Sequence, residues 1–149
     1  MKKALWELLA LPGTLSQVTD QDQVKEIFEK EFFDRDEGKL RPIPLKDTEG
    51  ITVRATEENF GHIFFKKGLF LIDRAERVYW IKPTILKSRY IVKDKDSDRR
   101  FHYLQPYSVG GNVESFCVVT KKAATGKSSI IITAFPVEWE RVYAILSNR

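Results

Sequence analysis

The sequence predicts an α+β fold in which N-terminal helices pack on a four-stranded antiparallel sheet and a C-terminal helix closes the chain. Three observations predict it. Apolar residues recur at helical spacing through the first half. After residue 88 the pattern changes to short β-branched and aromatic runs parted by turn residues. The 149 residues, 42% hydrophobic and 31% charged, are enough for one ordinary globular core and too apolar for disorder.

Each element follows from local chemistry. Residues 2–11 carry Leu5, Trp6, Leu8 and Leu9 at helical spacing, and Pro12-Gly13 ends the run. Glu7 interrupts its apolar stretch and no small-residue cleavage site follows, so the segment reads as a helix rather than a signal peptide. A second helix starts near Thr19 or Asp20 and buries Val24, Ile27, Phe28 and Phe32. The charged, proline-bearing stretch 34–44 reads as a connector. It divides an N-terminal helical extension, 1–40, from an α+β domain, 41–149, within one compact unit.

Ile51-Thr52-Val53-Arg54 reads as a short strand, and Thr56 as the N-cap of a helix bearing Phe60, Ile63 and Phe64. Asp73 caps a further helix that Pro83 interrupts or ends. Tyr90-Ile91-Val92 and residues 101–107, 113–120 and 129–135 are the four strands of a meander. Pro136 closes the last, and residues 137–146 form the terminal helix.

A single cysteine, Cys117, excludes an intrachain disulfide and points to a reducing, cytoplasmic setting. With two histidines and no placed carboxylate cluster, no metal and no cofactor are expected. No apolar run approaches the roughly 18 residues that span a bilayer, so no membrane partner is expected. Charge is divided: residues 1–61 hold nine Lys/Arg against thirteen Asp/Glu, and residues 62–149 hold sixteen against eight. A basic half suits a polyanion, although a solvated basic surface is the plainer reading.

His62 faces away from the apolar stripe of its helix, where an i, i+4 ladder sets it between Glu58 and Lys66. A carboxylate, an imidazole and an ammonium together can tune an acid or base. The plainer alternative is a surface histidine. Arg74 and Arg77, spaced i, i+3, can face one phosphate, or simply line a solvated helix with Glu76 as counter-charge. Lys66, Arg74, Arg77, Lys82 and Arg89 are expected to border one cleft. Thr133 is polar within an apolar strand, which a backbone hydrogen bond explains equally well. Two motifs fail. Gly126-Lys127-Ser128 lacks the leading glycine and following helix of a P-loop, and Glu138-Trp139-Glu140 lies in a predicted helix that splays its carboxylates.

Several blocks in order carry a resemblance: Phe60-Gly61-His62-Ile63-Phe64, Asp73-Arg74-Ala75-Glu76-Arg77-Val78-Tyr79-Trp80-Ile81, Pro83-Thr84-Ile85-Leu86, Tyr103-Leu104, Phe116-Cys117-Val118-Val119 and Ile131-Ile132-Thr133-Ala134-Phe135. Across residues 51–137 the chain resembles the phage-associated branch of the barnase/EndoU/colicin/RelE-like (BECR) nucleases. The resemblance implies a toxin-type, metal-independent endoribonuclease. In such enzymes the RNA 2′-hydroxyl attacks the adjacent phosphate, leaving a 2′,3′-cyclic phosphate. It implies His62, Arg74, Arg77 and Thr133 as catalytic residues; Lys66, Lys82, Arg89 and Tyr103 are the expected substrate-binding ones. RNA is the implied partner, with an acidic inhibitor or a phage or host protein as the protein partner. The alternative is a nucleic-acid-binding module or a protein-interaction domain of the same fold, without catalysis.

Overall fold

The computed structural model describes residues 1–148. Its elements run α1 (Lys3–Glu7), β1 (Leu11–Pro12), α2 (Gln21–Phe32), β2 (Phe33–Asp36), β3 (Lys39–Pro42), β4 (Leu45–Lys46) and β5 (Thr52–Arg54). Then follow α3 (Asn59–Phe64), β6 (Phe65–Lys66), β7 (Leu69–Phe70), α4 (Ile72–Ala75), a 3-10 turn (Val78–Trp80) and α5 (Ile81–Lys87). The chain ends in β8 (Tyr90–Lys93), β9 (Arg100–Val109), β10 (Asn112–Lys122), β11 (Ser128–Val137) and α6 (Trp139–Ser147).

The class is α+β, but the expected four-stranded antiparallel sheet is overturned. One mixed sheet of seven strands runs in the order β1-β9-β10-β11-β5-β4, with β8 also paired to β9. β8 to β11 are antiparallel neighbours, and two parallel pairs, β1 with β9 and β11 with β5, extend them. The physical reason is length. β1 and β4 have two residues each, too few to show a period, and their pairing depends on distant partners. Helices cover both faces of the sheet.

Local causes are plain where sequence signals are strong. The Asp20 carboxylate accepts from the Gln23 N–H and caps α2, which buries Val24, Phe28 and Phe32. The expected connector is instead the β2–β3 hairpin. Glu37 (φ 52°) and Gly38 (φ 78°) form its two-residue left-handed turn, the geometry that matches strand twist. Pro83 sits in the first turn of α5, where its missing N–H is tolerated. Pro136 lies inside β11, beyond Ile130, where β5 no longer pairs and the strand becomes an edge.

One sheet face packs Tyr103, Tyr107, Phe116, Val118, Ile131 and Ala134 against α2, α3 and α5. Trp80 stacks on Tyr107 there, with ring centroids 4.6 Å apart. The opposite face carries Val92, Leu104, Cys117 and Val119 beneath Trp6 of α1 and Val142 and Leu146 of α6. The Trp6 indole N–H donates to Ser115 Oγ at 2.9 Å. No helix among the described residues is long and apolar enough to cross a membrane.

Candidate nucleic-acid interface

His62 is exposed on α3. The helix stops at Phe64, so Lys66 leaves the expected ladder and joins the β6–β7 hairpin, turned by Lys67 (φ 52°) and Gly68 (φ 76°). Arg74 Nη1 donates to the Ile63 carbonyl at 3.0 Å, and the guanidinium stands 5.6 Å from the Phe135 ring centroid. Burial lowers its pKa, and Asp73 opposes that shift. Arg77 donates to the Asp73 carbonyl at 2.6 Å and to Glu114 Oε1 at 2.7 Å. These protein acceptors engage both arginines within the fold.

The other expected residues are dispersed. Thr133 is half-buried opposite Val119. Tyr103 is 2% exposed, so its ring has no face to offer a base; its hydroxyl donates to the Asp47 carboxylate. Burial first, and Asp47 second, push its pKa up. Lys82 is half-buried in the first turn of α5. Arg89 lines a cleft with Lys87, Leu9 and Gln105 that includes none of Lys66, Arg74, Arg77 or Lys82.

The sheet itself assembles cations that the sequence reading did not single out. Side chains alternate along a strand, so Cys117, Val119 and Lys121 share one face of β10, as Leu104, His102 and Arg100 do of β9. Cys117 and Leu104 lie under α6, which assigns this face to the α6 side. Register places Arg100 opposite Lys121, Lys121 opposite Ile130, and Ile130 opposite Arg54. The row Arg54–Ile130–Lys121–Arg100 crosses four strands, about 14 Å at the usual spacing of about 4.8 Å. Like charges directly opposite one another destabilise a sheet. Neither Arg100 nor Lys121 has a salt bridge among the described residues.

His102 lies beside this row, two residues along β9 from Arg100. Its Nε2 is 3.4 Å from Asp94 Oδ2 and its Nδ1 is 3.7 Å from Cys117 Sγ. The Asp96 backbone N–H holds the Asp94 carboxyl below its usual range, with smaller help from His102 and Arg100. Cys117 is fully buried, and burial pushes its thiol up to about 12, with Arg141 opposing. In the tautomer that carries its proton on Nε2, His102 turns that N–H to Asp94 and its Nδ1 lone pair to the Cys117 thiol. A buried, protonated sulfur is a packing group rather than a nucleophile. A cleft of about 240 Å³ opens here, lined by His102, Asp94, Lys93, Lys95 and Arg141 among others.

Among the described residues no three His, Cys, Asp or Glu side chains are grouped to hold a metal ion. Comparison with family models, with curated proteins and with solved structures returned no match. The signal for the row was present as Arg99-Arg100 and Lys121-Lys122 at strand ends. It becomes a surface only through a register that joins residues 54, 100, 121 and 130.

Proposed function

We propose that this protein binds nucleic acid, RNA foremost, on the α6 side of its sheet. The carrying observation is the cross-strand pair Arg100–Lys121. Two cations opposed in a sheet cost stability, and a polyanion bound over them turns that cost into affinity through counterion release. Lys93, Lys95 and Arg99 lie at the same end of the sheet and enlarge the basic field, while Asp94, Asp96 and Asp98 temper it. Anisotropy titrations of labelled RNA across a salt series test the reading. Affinity is expected to fall steeply with salt, and Arg100→Glu/Lys121→Glu to abolish most of it. Salt-independent binding, or unchanged affinity in the double variant, would refute it.

RNA cleavage is the second reading, and one observation favours it. Arg74 is bonded to the carbonyl of the residue after His62, which ties a cation to the helix that carries an exposed imidazole. In that reading the 2′-hydroxyl loses its proton to a base and bonds to phosphorus. The 5′-oxygen leaves with a proton, giving a 2′,3′-cyclic phosphate and no change in oxidation state. EDTA-resistant cleavage that His62→Ala lowers by about 10²-fold or more, with RNA affinity intact, supports it. Equal cleavage by the variant removes it.

A further inference from the structure

We infer that the strand is bound single, laid across the sheet with its phosphates on Arg54, Lys121 and Arg100 and a base against Ile130. This rests on the nucleic-acid reading and adds the form of the ligand and its path. An RNA duplex presents two phosphate rails on either side of each groove, the minor one wide and shallow and the major one deep and narrow. Reading both rails takes two lines of cations, or an element that enters the groove. The row Arg54–Ile130–Lys121–Arg100 is one line, carried on pleated strands with the Ile130 side chain as its one apolar member.

The apolar member of the row points the same way. Ile130 is 43% exposed, an aliphatic side chain held in the open between Arg54 and Lys121. A phosphate gains nothing from it, whereas the face of an unpaired base does. In a duplex those faces are stacked on each other and closed to it. Sequence-tolerant single-strand sites combine a cationic track with side chains that receive base faces, most often aromatic ones; Ile130 offers an aliphatic surface in that place. At the β9 end the track meets the His102 cleft. That cleft is lined by Arg141 of α6 and by Asp94, whose N–H donates to the Arg100 carbonyl and whose carboxylate accepts from the Asp96 N–H and faces His102.

The test compares a 12-nucleotide single-stranded RNA with the duplex of the same sequence by anisotropy at one salt concentration. Variants are Arg54→Glu, Ile130→Asp and Lys127→Glu, the last at the same basic end but in the turn outside the row. All three positions are exposed, and thermal melts confirm that each variant folds. The single strand is expected to bind at least tenfold tighter than the duplex. Arg54→Glu and Ile130→Asp should each weaken it about tenfold, and Lys127→Glu less than threefold. A duplex bound as tightly as the single strand overturns the inference. So does equal loss from Arg54→Glu and Lys127→Glu while Arg100→Glu/Lys121→Glu abolishes binding, an outcome that leaves the nucleic-acid reading standing. If that double variant binds normally, both fall.

Discussion

The Arg77 guanidinium meets the Glu114 carboxylate at 2.7 Å while lying 5.1 Å from the Trp80 ring centroid. Its side chain is 14% exposed and its Nε is buried with no hydrogen-bond partner among the described residues, so it ties α4 to the start of β10 as part of the core. Arg77→Ala leaves Glu114 unpaired and uncovers Trp80. Because Glu114 is partly solvated, the loss should be about 2 kcal/mol, below the range for fully buried pairs. Denaturant melts measure it. RNA affinity of the folded variant should be unchanged, the opposite of what a phosphate-clamping arginine would show.

Lys121→Thr should make the protein more stable and a poorer RNA ligand at once. It removes the like-charge opposition to Arg100, a gain of about 0.5 kcal/mol, and places a β-branched residue in the strand. Melting temperature should rise, and the slope of log affinity against log salt should flatten by about 0.7, one phosphate contact. A less stable variant would show that the pair is balanced by contacts within the fold.

Alkaline pH should unfold the protein. Burial raises the Cys117 thiol from its ordinary 9.0 to about 12, and raises Tyr103 and Tyr107 as well. A raised thiol or phenol favours the neutral group in the folded state. Its contribution is therefore whole below the unfolded pKa and is lost as pH climbs towards the folded one. Stability should fall between pH 9 and about 12. Cys117→Ala should flatten the early part of that fall, and the native thiol should resist disulfide reagents at pH 8.

Gly13→Ala should loosen β1. An added Cβ would stand 2.9 Å from the Ser108 carbonyl oxygen, 2.9 Å from Val109 Cγ2 and 3.0 Å from Trp80 Cζ2. Two of these are core side chains and the third is backbone, so the strand must retreat. The cost should be about 2 kcal/mol, typical of overpacking, with loss of amide protection at the Gly13 N–H that donates to Ser108.

How far the sequence was legible depends on how local each signal is. The α2 stripe of Val24, Phe28 and Phe32 and its Asp20 cap lie within one segment, and the windows 101–107, 113–120 and 129–135 fall inside β9, β10 and β11. β1 and β4 carry no such signal. The turn at Glu37-Gly38 did, but the prolines and charges around it read as a connector. For the site the difficulty was competition. Arg74 and Arg77 have the right spacing for a phosphate, yet Ile63, Asp73 and Glu114 reach them first. The row Arg54–Ile130–Lys121–Arg100, exposed except at half-buried Lys121, instead draws one residue from each of four strands, and no window of sequence contains it.

The sheet face beneath α6 is closed from both directions, by Trp6 bonded across 109 positions to Ser115 and by Val142 and Leu146. Translation at roughly 5–20 residues per second releases these pieces many seconds apart. Until α6 emerges, Val92, Leu104, Cys117 and Val119 are uncovered on the nascent chain. With such sequence-distant pairings the domain should fold slowly, and only after α6 has been made. Ribosome-stalled chains lacking α6 should therefore be protease-sensitive and chaperone-bound, even with every strand already made.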